Sequence, residues 1–300
     1  MHDHQLELST ATVAGLIQDQ FPQWRGLPIH PVYSYGTVSF LFRLGEELVL
    51  RFPMQLAAVG EVRASILGEA AAARRLLGLT SVATPEPLGF GEPGPGYPLP
   101  WAAYRWLPGE SADRSDVSGS TGFAQKLAEF VSALRSLDTE GRRYNGTSRG
   151  GLLTDQDDWV ARSLEQSTEL IDTKALGLLW QKLRETPRTE ADAWSHGDLM
   201  PGNLLVRAGR LSAVIDVGGL GLADPALDLM PAWNLMDTQT RRVYRKALSV
   251  EDQQWARGKG WAFAQAIGCL NYYRLSNPPM SRIAHRTLQA LLDDGTRAAE

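Results

Sequence analysis

Cysteine is nearly absent. The single Cys269 in 300 residues excludes an intramolecular disulfide framework and any multi-cysteine metal site. Its surroundings are apolar and helical in pattern, so it reads as a small buried hydrophobe. No uninterrupted apolar run approaches the roughly 18 residues of a membrane span, and no apolar stretch follows the polar start Met1-His2-Asp3-His4-Gln5. A cytoplasmic protein with no membrane partner is expected, its early histidines solvated. Basic charge is not in excess either: 30 Lys and Arg stand against 34 Asp and Glu, a formal net charge of −4. Nucleic-acid binding, which wants clustered positive charge, is not expected. Internal repeats and low-complexity segments are lacking. What is present is a chain 43% hydrophobic, long enough for one large domain or two lobes, as a monomer or homodimer.

The pattern along the chain is strand-rich first and helical later. Val13, Leu16 and Ile17 mark one face of a short helix over 13–21. Strand-like runs follow at 32–44 and 48–52, with Glu46 and Glu47 at the turn. An alanine-rich helix is expected over 66–77. A Pro- and Gly-rich stretch then holds a short strand over 88–91, and 101–107 reads as a buried strand stopped by Pro108-Gly109. The lobe boundary is placed there, giving 1–107 and 108–300. Helical stripes are expected over 123–137, 176–183, 252–275 and 283–292, with short strands at 203–206 and 214–216.

The chemistry concentrates in His196-Gly197-Asp198-Leu199-Met200-Pro201-Gly202-Asn203, followed by Asp216-Val217-Gly218. Phosphoryl transfer to a hydroxyl needs a carboxylate to orient the nucleophile and accept its proton, and oxygen ligands to hold Mg²⁺ against the polyphosphate. The Asp-x-x-x-x-Asn spacing seats a carboxylate and an amide oxygen on one loop. Asp216 is expected to end the strand that pairs with the strand after that loop, with Gly218 giving the backbone freedom to turn away. The spacing matches the catalytic loop and metal aspartate of the kinase fold, with His-Gly-Asp for His-Arg-Asp and Asp-Val-Gly for Asp-Phe-Gly.

HGDLMPGNLLV and VIDVGGLGLADPALDLMPAW together resemble the signature of the aminoglycoside phosphotransferase/choline kinase-like family. LVLRFP, the Glu69 helix and YRWLPGE extend the resemblance over nearly the whole chain. It implies an α+β, bilobal protein-kinase-like fold with a strand-rich nucleotide-binding N-lobe and a mainly helical catalytic, acceptor-binding C-lobe. It also implies a small-molecule kinase using Mg²⁺ and ATP or GTP. Asp198 resembles the catalytic base, Asn203 and Asp216 the Mg²⁺ ligands, and His196 a loop-supporting residue. Arg51 stands where the family commonly has lysine; its helix partner is expected to be Glu69, with Glu61 as the alternative, while an edge-strand charge is the bland reading. Tyr35, Gly36, Thr37 and Ser39 lie where a phosphate-covering loop belongs, though with one glycine only. Arg105 and Leu107 match the segment that meets the nucleotide base. Tyr104 takes the position before it, where a bulky residue resembles a guanine-permitting device or is simply a core aromatic.

The acceptor is expected to meet Trp233, Asn234, Asp237, Gln265, Tyr272 and Asp228, with Asp155, Asp157 and Asp158 on a preceding segment. Asp228 is also read, with Asp224, as a structural acceptor of backbone N–H groups. An aminoglycoside is the leading expectation; a macrolide or a small metabolic alcohol is the alternative, because acidic residues are scattered and not clustered. A non-catalytic nucleotide-binding pseudokinase is the competing class, favoured only by Arg51. A protein kinase is disfavoured by the missing Ala-Pro-Glu segment.

Overall fold

The computed structural model describes residues 6–32, 38–146 and 149–297. The chain divides into two compact units, Met1–Pro108 with Ile215–Gly218, and Gly109–Val214 with Gly219–Glu300.

In the first unit the helix α1 (Thr10–Gln20) is capped by Ser9, whose hydroxyl accepts from Thr12 N. It precedes β1 (Ile29–Val32), β2 (Ser39–Leu44) and β3 (Leu48–Pro53), then α2 (Val59–Leu76), β4 (Pro87–Gly91) and β5 (Trp101–Arg105). The strands form one antiparallel sheet in the order β1-β2-β3-β5-β4. Alternation along β3 sends Leu48, Leu50 and Phe52 into the core. There Phe52 stacks on Trp101 and meets Tyr97 edge-on, over Val13, Leu16 and Ile17 of α1. The opposite face of the sheet carries Arg51 beside Ala102, and Val49 beside Tyr104.

Two expectations are corrected here. Of the run over 32–44, the described residues are Val32, which ends β1, and 38–44, which hold β2, and the two strands pair antiparallel where one continuous strand was expected. The alanine-rich helix begins at Val59, a full two turns before its apolar stripe becomes visible, with Glu61 in its first turn.

The second unit sets small sheets among helices. Its elements are β6 (Glu110–Ser111), α3 (Thr121–Arg135), α4 (Asp157–Glu165), α5 (Thr173–Arg184), β7 (Ala193–Ser195), β8 (Leu204–Arg207), β9 (Arg210–Val214) and β10 (Gly221–Ala223). After them come α6 (Pro231–Asn234), α7 (Thr238–Ala247), α8 (Asp252–Tyr272) and α9 (Pro278–Arg297). Strand order is β6-β8-β9 in one sheet and β10-β7 in the other. The helix α8 is buried along most of its length, which fits a central helix enclosed by neighbours. A buried cluster ties it to the chain upstream: Arg257 donates to both Asp224 oxygens, at 2.9 and 3.3 Å, and to Glu190, and Trp261 Nε1 donates to Asp224. The α+β class is as expected, strand-rich in the first unit and mainly helical in the second. No helix among the described residues is long and apolar enough to cross a membrane.

Candidate active site

The loop after β7 is built from the inside out. His196 is fully buried and Gly197 has φ +81°, a left-handed value that glycine adopts without a Cβ penalty. Asp228, 1% exposed, sits beneath them: its Oδ2 accepts from His196 N at 2.9 Å and its Oδ1 from Gly197 N at 3.0 Å. The Asp198 amide donates to His196 Nδ1 at 3.3 Å. The imidazole thus faces the backbone it supports. Leu199 and Met200 anchor the loop in the core. Beyond them Pro201–Asn203 forms a single tight turn, so Asn203 precedes β8 instead of beginning it.

Asn203 closes the loop on Asp198. Its Nδ2 donates to the Asp198 carbonyl at 2.9 Å and to Asp198 Oδ2 at 3.1 Å. With the amide nitrogen engaged, the amide oxygen of Asn203 is left to accept from or ligate something else. The other Asp198 oxygen, Oδ1, receives Arg149 Nη2 at 2.6 Å, both side chains being about a third exposed. Sequence reading missed Arg149, which lies 49 residues upstream with no periodic pattern around it. The only local signal is Gly150-Gly151 after it. Gly150 has φ +116°, and a Cβ there would fall 2.3 Å from Ala223 Cβ. Its carbonyl accepts from Asp224 N at 2.7 Å, so the segment is held against the strand end of β10.

In the first unit Arg51 ion-pairs with Glu69 of α2, and its Nη2 lies 3.7 Å from Asp216 Oδ1. Burial acts to lower the Arg51 pKa, but Glu69, Asp216 and Tyr104 outweigh it and the net direction is up. Burial pushes Glu69 above the usual carboxylate range; Arg51 pulls against this and Asp216 adds to it. Asp216 has φ +60°. It stands two residues past the end of β9, and Gly218 is not among the glycines with positive φ. The conformational freedom expected of Gly218 is thus carried by Asp216. A Cβ on Gly218 would meet Glu69 at 3.5 Å, ordinary contact.

Tyr104 is 2% exposed, its ring 5.9 Å from the Arg51 guanidinium carbon, and its hydroxyl has no hydrogen-bond partner among the described residues. Burial drives that hydroxyl's pKa upward. Arg105 pairs with Glu86 through its side chain. Ser39 opens β2 opposite Pro53. Tyr35, Gly36 and Thr37 lie outside the described residues.

The residues expected at the acceptor separate into three groups. Asn234 reaches the catalytic loop: its Nδ2 meets Met200 Sδ at 3.6 Å, and its buried Oδ1 has no partner among the described residues. Gln265 donates to Cys269 Sγ at 3.5 Å one turn along α8, and Tyr272 ends the same face, largely exposed. Cys269 is half-buried, its thiol pushed up to about 11 by burial, while Arg149 pulls it down and Asp198 pushes it up; this face of α8 therefore lies within the electrostatic reach of Asp198. The remaining three are occupied elsewhere. Trp233 donates to Asp294 at 3.0 Å and packs on Trp255. Asp237 caps α7 through Thr240 N. Asp228 has both oxygens on the loop backbone, which corrects its place among acceptor-lining residues: a buried carboxylate with two backbone donors faces inward.

No three His, Cys, Asp or Glu side chains among the described residues cluster into a metal cage. Mg²⁺ asks for less, keeping several waters and taking one or two carboxylates plus substrate phosphates. The oxygen donors of Asn203 and Asp216 suit it chemically.

A sequence profile described as the phosphotransferase enzyme family matches residues 36–264. No curated protein matches the chain. Among solved structures, the GDP complex of wild-type aminoglycoside 2'-phosphotransferase-IIIa is 18% identical, with 96% of this chain and 100% of that one covered at a TM-score of 0.72. A GDP and kanamycin complex of APH(2")-IIia is 20% identical, covering 94% and 98%, TM-score 0.70. Macrolide 2'-phosphotransferase MphH from Brachybacterium faecium is 19% identical, covering 92% and 97%, TM-score 0.62. At such identities the likeness is one of fold. The profile spans most of the chain and includes both the Asp198 loop and Asp216, and on that ground the chain belongs to the phosphotransferase enzyme family, as a small-molecule kinase of kinase-like fold.

Proposed function

We propose that this enzyme is a Mg²⁺-dependent O-phosphotransferase that moves the γ-phosphate of ATP or GTP onto a hydroxyl of a small molecule. The observation that carries the reading is the Asp198 carboxylate, fixed by the Asn203 amide on a buried loop and still about a third exposed. In this reading Asp198 hydrogen-bonds the attacking hydroxyl and accepts its proton as the new P–O bond forms and the bridging bond to the β-phosphate breaks. Asn203 and Asp216 are assigned as the oxygen donors to Mg²⁺, which supplies charge neutralisation along the polyphosphate when bound. Arg51, held by Glu69, is assigned to the α/β-phosphates, where a guanidinium grips two oxygens at once. The Leu107 amide, free of hydrogen bonds among the described residues, and Arg105 are assigned to the base, and the buried, bulky Tyr104 before them favours testing GTP beside ATP. Residues 1–107 then serve the nucleotide and 108–300 the catalysis and acceptor, in the cytoplasm.

Kanamycin and macrolides are named with the neighbouring structures, so both belong in the first acceptor panel beside small alcohols. Expected is Mg²⁺-dependent transfer to a hydroxyl, abolished in Asp198→Ala with the thermal midpoint kept. Arginine in place of lysine at position 51 favours one second reading, a module that binds nucleotide without transferring phosphate. Thermal shifts with nucleotide and Mg²⁺ but no transfer to any acceptor would establish that module instead.

A further inference from the structure

We propose that Arg149 is a specificity-determining residue that turns the acceptor side of Asp198 against polyamines and toward neutral or anionic hydroxyl compounds. The proposal rests on the reading of Asp198 as the group that takes the acceptor's proton. Both carboxylate oxygens already have a donor: Arg149 Nη2 at 2.6 Å on Oδ1 and Asn203 Nδ2 at 3.1 Å on Oδ2. A hydroxyl that reaches Asp198 therefore arrives beside a guanidinium, and so does any charged group a few ångströms from that hydroxyl. With Arg149 and Asp198 cancelling, a neighbouring ammonium finds no net attraction and meets a like charge instead. Near a protein surface such a contact is worth at least about tenfold in affinity.

The carboxylates a polyamine would need are engaged elsewhere. Asp157 is shared by Arg184, at 2.6 Å, and Trp180 Nε1, at 2.9 Å. Asp155 accepts from Leu152 N, Asp237 from Thr240 N, and Asp228 from the catalytic loop. Of the acidic residues expected at the acceptor, Asp158 alone has no side-chain hydrogen bond or ion pair among the described residues. The bias recurs in a cavity of about 360 Å³ at the start of α9, lined by Asp113, Arg282, His285 and Arg286. It adjoins the catalytic-loop support, since Ala112 N, the residue before Asp113, donates to the Pro201 and Leu204 carbonyls at 3.1 and 2.9 Å. Polyamine recognition by charge complementarity would require the opposite balance.

The test compares kcat/KM for kanamycin, a neutral sugar alcohol and a sugar acid in wild type, Arg149→Gln and Arg149→Lys, with thermal midpoints to confirm folding. Expected is wild-type preference for the neutral or anionic compound, a shift of at least about tenfold toward kanamycin in Arg149→Gln, and wild-type selectivity in Arg149→Lys. Calorimetric Kd values for kanamycin read the same discrimination without turnover: tightening of at least about tenfold in Arg149→Gln is expected. Wild-type preference for kanamycin overturns the proposal, and so does an unchanged selectivity or Kd in Arg149→Gln, absence of binding to both included. Nucleotide hydrolysis without acceptor, lost in Asp198→Asn, keeps the phosphotransferase reading standing in that event. Hydrolysis and transfer that both survive Asp198→Asn sink the two together.

Discussion

Asp228 offers the sharpest test of how the loop is held. The perturbation is a pair of substitutions, Asp228→Ala and Asp228→Asn, at a residue 1% exposed. Alanine removes the acceptor of the buried His196 N and one of two acceptors of the part-buried Gly197 N, which keeps Ser195 Oγ at 3.2 Å. The unsatisfied His196 N–H costs about 1–3 kcal/mol and the hydrogen bond lost at Gly197 about 0.5–1.5 kcal/mol more, a gross loss of about 1.5–4.5 kcal/mol, offset in part because a buried carboxylate no longer needs desolvation. Asparagine keeps one acceptor oxygen but turns an amide donor toward the second N–H, so it should lose about 1–3 kcal/mol. The hydrogen bond from Tyr244 Oη goes to the backbone carbonyl of residue 228 and survives both changes. Urea unfolding should therefore rank the wild type above asparagine and asparagine above alanine at constant m. Because the two amides immediately precede Asp198, a shift of about 1 Å in the loop should also lower kcat by on the order of a hundredfold. Equal midpoints and equal kcat across the three proteins would refute the claim that this carboxylate holds the catalytic loop.

Two further outcomes follow from geometry away from Asp198. Gly150→Ala should destabilise the fold by about 2–4 kcal/mol, since φ +116° is strained for any Cβ-bearing residue and the new methyl lands on Ala223; an unchanged urea midpoint would show that the segment yields freely. Asp294 joins Trp233, Arg241 and Lys259 at 3.0, 2.6 and 3.5 Å. Burial raises its pKa, but those three partners outweigh it and hold the carboxyl below its ordinary 3.8. A depressed folded value contributes stability that is complete above the unfolded pKa and disappears as pH falls through the folded one. The gap in thermal midpoint between wild type and Asp294→Asn should accordingly be full at pH 6 and shrink below about pH 4. A gap independent of pH would refute the ion-pair account.

How much was legible in the sequence depended on whether the signal was local. The contact between Asn203 and Asp198 was readable because a short spacing seats both on one loop, and β3 because Leu48, Leu50 and Phe52 alternate. The pairing of Arg51 with Glu69 followed from the resemblance to kinase-like enzymes, which pair a strand cation with a helix glutamate. Arg149 was not readable, since only the tertiary fold brings it to Asp198. Nor was α7, whose sequence TQTRRVYRKA buries just Thr240 and Tyr244; with so narrow a stripe the period of 3.6 is hidden, although Asp237 before it is a sound N-cap signal. Asp157 looked available for a ligand because an aspartate in sequence carries no mark of the arginine 27 residues on that will claim it.

The φ of +60° at Asp216 has a consequence for anyone improving this protein. A left-handed residue with a Cβ sits about 1–2 kcal/mol above a glycine in the same place. A thermostability screen run without an activity readout would therefore be drawn to glycine at position 216, and each winner would have discarded a carboxylate the reaction is proposed to need. Hardier variants from such a campaign should be counted as suspects until they turn over nucleotide.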